Sequence, residues 1–311
     1  MSTAAVIFTG QGAQSAGMGR EVFDASAAAR DLFRQAADIV GFDLAQVCFE
    51  GPTERLEQTD VQQPAIFVTS AAIWAAFLER GGTAARFCRA GGLSLGEYTA
   101  LYAAGALDFA DGLRLVRRRG QLMQQAAQAA PSGMISLIGA DAAAAAAVCD
   151  RARGSGVLVA ANFNCPGQVV ISGSADALER VEAAAAEVQV RPVRLGVAGA
   201  FHSPLMAPAA EGLRTVLAES TIRPPTIPVA RNVDAAWHRD AASIRLALER
   251  QLTEPVLWQR CVERMVADGA RSFVEFGPGR VLTGLLRKID RRLPVQAVNS
   301  PSDIDALLSH A

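Results

Sequence analysis

The segment Gly92-Leu93-Ser94-Leu95-Gly96 narrows what this chain can fold into more than any other. It matches Gly-x-Ser-x-Gly, with a short extended run at 87–91 before it and a helical stretch to about residue 104 after it. A serine on so tight a strand-to-helix turn needs small neighbours, because the backbone must bend sharply there. The turn exposes the hydroxyl, and the following backbone N–H, that of Leu95, can help bind an oxyanion. The surrounding chain has the same grammar. Residues 4–9 read as a buried strand running into Gly10-Gln11-Gly12-Ala13-Gln14, a loop that lets backbone approach a ligand closely. Helical periodicity covers 21–40 and 108–128, and Gln62-Gln63-Pro64 starts another helix that runs through Leu78. Strand, loop and helix in alternation predict an α/β fold with a mostly parallel sheet. Pattern and context alone leave Ser94 as either a nucleophile or an ordinary serine at a helix start.

The middle of the chain changes character. Residues 134–138, 157–161, 169–172 and 191–195 read as strands, with helices at 141–151 and 176–187. Strand, helix, two strands, helix, strand is the order of a ferredoxin-like α+β unit. We therefore expect residues 131–198 to form a subdomain inserted into a discontinuous large α/β domain made of 1–130 and 199–311.

Scarce residue types exclude several functions. The 311 residues carry 30 basic and 31 acidic side chains, so no global charge favours nucleic acid or an anionic membrane. Lys288 is the only lysine, it follows no glycine-rich loop, and it reads as part of an ordinary helix face. The five cysteines are odd in number and contain no Cys-x-x-Cys pair, which argues against a disulfide framework or structural zinc and for a reducing compartment. No metal site is expected. With no signal-type N-terminus and no apolar run of membrane-spanning length, a soluble cytoplasmic protein is the reading.

A serine nucleophile needs a base, and only three histidines are available. His310 is penultimate, and His238 lies in a polar stretch that reads as a surface loop. His202, in the small-residue segment Gly199-Ala200-Phe201-His202-Ser203-Pro204 after a strand, is the candidate that remains. No Asp or Glu stands out as a third member, and no His-Gly-Gly-Gly motif appears. Of the consecutive Arg117, Arg118 and Arg119, only Arg119 has apolar residues at every helical neighbour position: Leu115, Val116, Leu122 and Met123. It is driven inward, where a guanidinium demands an anion. That anion is either an internal acid or a substrate carboxylate.

Taken in order, these motifs resemble the malonyl-coenzyme A:acyl carrier protein transacylase family over essentially the whole chain. The carriers are Gly10-Gln11-Gly12-Ala13-Gln14, Gln63-Pro64-Ala65, Gly92-x-Ser94-Leu95-Gly96-Glu97-Tyr98 and Arg119-Gly120-x-x-Met123-Gln124. Asn162-x-Asn164-x-Pro166-Gly167-Gln168, Phe201-His202-Ser203, Gln251-Leu252-x-x-Pro255-Val256-x-Trp258 and Phe276-Gly277-Pro278-Gly279 follow. The resemblance implies a hydrolase-like core and transfer of a malonyl group from malonyl-CoA to the phosphopantetheine thiol of an acyl carrier protein. It implies Ser94 as nucleophile, His202 as base, and the backbone N–H groups of Gln11 and Leu95 as oxyanion hole. Arg119 would then hold the malonyl carboxylate, the Gln251 backbone carbonyl would orient His202, and Asn162 and Gln63 would line the substrate pocket. Phe201 resembles the malonyl-selective form of its motif. The coenzyme A thioester is a substrate, no cofactor is implied, and a monomer is expected. The chain departs from the family at Leu93, where histidine is usual. Arg151, Arg153, Arg280 and Arg287 are candidates for meeting an acidic carrier. A polyketide synthase acyltransferase acting in trans, a carrier-directed acyl hydrolase and a non-catalytic carrier-binding scaffold are the rival readings.

Overall fold

A computed structural model describes residues 3–309, so His310 lies outside the described residues. Strands β1 (Ala4–Phe8), β2 (Phe87–Gly92), β7 (Ser272–Phe276) and β8 (Val295–Val298) form one parallel sheet in the order β2-β1-β7-β8. Helices cover this sheet, so β1 is a continuous apolar run with no polar face. A second sheet is antiparallel, in the order β4-β5-β3-β6, from β3 (Ser132–Ile138), β4 (Leu158–Cys165), β5 (Gln168–Ser174) and β6 (Arg191–Arg194). Helix Ala142–Ala152 packs on it through Ala145, Val148, Cys149 and Ala152, and the Asp141 side chain caps its start. The antiparallel sheet is tied beside the site to a segment outside both sheets. Val256 N–H donates to the Ala161 carbonyl, and the Val256 carbonyl accepts from Phe163 N–H, so β4 runs along the segment that follows Gln251.

Three local readings are corrected. The helix expected over 21–40 is two helices, Arg20–Ala25 and Ala27–Val40, because the Ser26 side chain accepts from Ala29 N–H and caps the second. The helix expected from Gln62 begins earlier, as Thr59–Glu79, so Pro64 lies inside it rather than in its first turn. The Gln58 carbonyl accepts from Val61 and Gln62 N–H and closes the first turn ahead of the proline. This same helix is long and apolar enough to cross a membrane by length and composition, against the expectation that no segment is, but 89 % of that stretch is buried inside the protein. It is the core helix, and its contact with Phe109–Ala129 carries much of the large unit's packing.

Candidate active site

The carboxyl ends of β1 and β2 open into the loops that begin at Thr9 and Leu93, which places the site at the usual edge of a parallel sheet. The two loops interlock. A Cβ on Gly96 would sit 2.1 Å from the Phe8 carbonyl oxygen, and one on Gly10 would sit 2.2 Å from that of Leu93. Only glycine lets the turns close so tightly. Gly96→Ala, with rigid backbone on the clashing side, is therefore expected to cost about 3 kcal/mol, read as a lower denaturation midpoint.

Ser94 itself adopts φ 52°, and His202 adopts φ 58°. Both lie in the left-handed region that non-glycine residues seldom occupy, as functional turns often require. Ser94 Oγ lies 2.8 Å from His202 Nε2, and His202 Nδ1 lies 2.6 Å from the Gln251 carbonyl. A carbonyl only accepts, so Nδ1 carries the proton and Nε2 is free to accept from the serine hydroxyl. Burial first, and the nearby Arg119 charge second, pull the His202 pKa down to about 3, with the Gln251 carbonyl opposing them.

Arg119 is fully buried, as its helical neighbours predict, and its hydrogen-bond partners are all neutral. It donates to Gln63 Oε1 at 2.7 Å, to Ser94 Oγ at 3.0 Å and to Gln251 Oε1 at 3.0 Å. Its neighbours take the other path: Arg117 bonds the Ile39 carbonyl and Arg118 is half-buried. A cleft of about 360 Å³ opens onto Ser94 and His202, lined also by Gln11, Leu93, Asn162 and Phe201. Leu93 gives the cleft an apolar wall beside the nucleophile. The Ser94 N–H is engaged by Asn232 Oδ1 at 2.6 Å, so the next amide, that of Leu95, is the one the turn offers to an oxyanion. The remaining basic candidates separate. Arg151 and Arg153 are ion-paired with Glu187 and Asp150, whereas Arg280 and Arg287 flank Val281 and Leu285 on the cleft wall. Lys288 lies on the exposed face of helix Val281–Ile289, as expected, and donates to Gln168 Oε1 at 3.1 Å.

Three residues beneath the site were not legible in the sequence. His238, expected on a surface loop, is buried with Nε2 2.7 Å from Glu97 Oε1. Glu97 Oε2 accepts from Asn232 N–H at 3.1 Å and from Gln251 Nε2 at 2.7 Å. Asn232 Nδ2 donates to the Gly92 carbonyl at 2.9 Å, which fixes the turn from below.

Residues 6–299 match the model of the acyl transferase domain family. The chain belongs to the acyl transferase family. Relatives within it are similar over nearly full length. The malonyl CoA-acyl carrier protein transacylase of Salmonella typhimurium is 41 % identical over 310 residues, spanning 99 % of this chain and 100 % of the relative. The crystal structure of malonyl-CoA:acyl carrier protein transacylase from Xanthomonas oryzae pv. oryzae superposes with a TM-score of 0.95 at 42 % identity, covering 100 % of this chain and 98 % of the other. A malonyl-transacylase solved in complex with a type II PKS acyl-carrier protein superposes with a TM-score of 0.96 at 38 % identity, covering 100 % of both chains.

Proposed function

We propose that this chain transfers a malonyl group from malonyl-CoA to the phosphopantetheine thiol of an acyl carrier protein, through an acyl-serine intermediate. The observation that carries the reading is Arg119, a fully buried cation with neutral partners, 3.0 Å from the Ser94 hydroxyl. A desolvated guanidinium at hydrogen-bond range of the nucleophile is matched by a substrate that brings its own carboxylate.

In the acylation half, Ser94 Oγ attacks the thioester carbonyl as His202 Nε2 takes the hydroxyl proton. The oxyanion is met by the Gln11 and Leu95 N–H groups, each such donor being worth about 10²–10³ in rate. The C–S bond then breaks, His202 returns the proton to the departing coenzyme A thiolate, and the ester remains on Ser94. In the second half the carrier's thiol loses its proton to His202 and attacks the ester; the C–O bond to Ser94 breaks, and His202 Nε2 returns the proton to the departing Oγ. Gln251 holds the imidazole through its carbonyl, which replaces a third carboxylate. Asn162 lines the pocket; Gln63, expected beside it, is instead fully buried behind it and acts through its bond from Arg119, with Gln62 on the lining. The ring of Phe201 limits branching of the acyl group. Arg280 and Arg287, exposed on and beside the helix that carries Val281 and Leu285 to the cleft, are the side chains proposed to meet the acidic carrier.

We likewise read residues 131–198 as an inserted ferredoxin-like unit, since β6-β3-β5-β4 with helices after the first and third strands is that arrangement, and the parallel unit as hydrolase-like. A cytoplasmic setting is part of the same proposal. A polyketide carrier is the second reading, favoured by the similarity to the type II PKS partner's transacylase.

Intact-protein mass spectrometry after brief mixing with malonyl-CoA tests the function. The expected result is one malonyl adduct, absent with acetyl-CoA at the same dose and discharged by added carrier protein. No adduct with malonyl-CoA would overturn it.

The lowered His202 pKa adds a pH prediction. The neutral imidazole is the working base, and with a free-enzyme pKa of about 3 it stays neutral on the acid side of its ordinary 6.5. The kcat/KM profile should therefore lack an acid limb near pH 6.5. Stability moves the other way. The unfolded histidine takes up a proton below about 6.5 while the folded one does not, so falling pH removes about 1.4 kcal/mol per unit until the folded pKa is reached. Denaturation midpoints should drop between pH 7 and 5 while kcat/KM of the folded enzyme holds.

A further inference from the structure

We propose that Glu97 is the positioning residue of the acyl-carboxylate pocket, acting through the side chain of Gln251. The inference rests on the malonyl-transfer reading and deepens it.

The Gln251 main chain is fixed independently of its side chain. Its N–H donates to the Ala247 carbonyl at 2.9 Å, closing helix Ala241–Arg250, so its own carbonyl faces His202 whatever the amide does. The side chain is the adjustable part. A primary amide has an accepting oxygen on one side and a donating nitrogen on the other. Arg119 has only donors, and it meets Gln251 Oε1 at 3.0 Å. Glu97 Oε2, already accepting from Asn232 N–H, meets Gln251 Nε2 at 2.7 Å. A buried cation and a buried carboxylate thus clamp one amide dipole from opposite ends, and each demands the same orientation. The Ser94 carbonyl takes a further bond from Nε2 at 3.1 Å, which ties the amide to the nucleophile's turn.

Glu97 is itself held. His238 Nε2 lies 2.7 Å from its other oxygen, and both side chains are essentially inaccessible to solvent. Without the carboxylate, the Gln251 amide loses its shortest bond and is held by Arg119 on its oxygen and by the longer bond from Nε2 to the Ser94 carbonyl. Arg119 would keep Gln63 and Ser94, and the oxygen on the third side of its fork would be less firmly placed. The loss falls on the group that meets the acyl carboxylate, and it leaves the Ser94, His202 and Gln251-carbonyl line in place.

The test compares kcat/KM for malonyl-CoA and acetyl-CoA in the full chain. In Glu97→Ala the malonyl-to-acetyl ratio should fall about 10- to 100-fold, the scale of a misplaced positioning group. In Glu97→Gln the side-chain oxygen can still accept from Gln251 Nε2, and most of the ratio should return. Gln251→Leu keeps the carbonyl that orients His202 and cuts the same link from the other end. It should lower the ratio likewise, which keeps the test decisive if Glu97→Ala does not fold. Equal losses with both thioesters would make Glu97 a structural residue only and overturn the proposal, as would a Glu97→Gln ratio no better than that of Glu97→Ala. Failure of the underlying reading is visible beforehand, as a wild type with no preference for malonyl-CoA.

Discussion

Ser94→Ala should abolish the malonyl adduct and lower transfer to a carrier thiol by about 10⁴-fold or more, the scale on which losing a covalent nucleophile is felt. The hydroxyl has two engagements, accepting from Arg119 at 3.0 Å and lying 2.8 Å from His202 Nε2. Alanine keeps the Cβ and the φ of 52°, so the turn's backbone geometry is unchanged and the loss is chemical. A thermal melt near that of the wild type, together with an adduct-free mass spectrum, would establish this. An adduct persisting on the variant would move the nucleophile elsewhere.

Arg119→Met should separate the two thioesters. With malonyl-CoA, kcat/KM is expected to fall about 10²–10³-fold, the cost of removing one partner from a desolvated, hydrogen-bonded ion pair. With acetyl-CoA it should be retained or rise, because no carboxylate is there to miss the guanidinium. Met keeps much of the buried stem volume among Leu115, Val116 and Met123. The substitution also removes the second-largest cause of the low His202 pKa, so the acetyl-CoA profile should acquire an acid limb at higher pH than in the wild type. Equal losses for both thioesters would instead make Arg119 part of the general scaffold and sink the carboxylate assignment.

How far the site was legible depends on how local each signal is. Ser94 announces itself through its own turn, and the inward course of Arg119 follows from four neighbours on one helix. His202 emerged because only three histidines compete for its role. Gln251 carries no such signal, since its contribution is a main-chain carbonyl, and only the resemblance pointed to it. His238 was misread for a physical reason. Its stretch is polar and does lack regular structure, but the Ala230–Trp237 bridge and the pairing of Ala90 with Val229 turn it inward beneath β2. Its partner, Glu97, is 141 residues away in sequence, and no periodicity encodes such a meeting. The fold was more legible because strand and helix periods are local. The errors fell at Ser26 and at the start of Thr59–Glu79, where a single cap or a turn closed ahead of a proline decides the boundary, and at Arg180, which divides the helix expected over 176–187 into Ala175–Glu179 and Val181–Glu187.

The order of the parallel sheet carries a consequence for how the chain comes to be folded as it is made. Phe8, at the end of the central strand, pairs with Gly92 on one side and with Phe276 on the other. One edge of β1 therefore stays open until synthesis has passed residue 276, and the oily helix Thr59–Glu79 emerges long before the sheet it covers is complete. Pairings so distant along the chain form late, and exposed strand edges beside apolar helices invite self-association meanwhile. The burden on the cell's folding assistance is heaviest for this protein while it is still attached to the ribosome, and lightest once the last strands arrive.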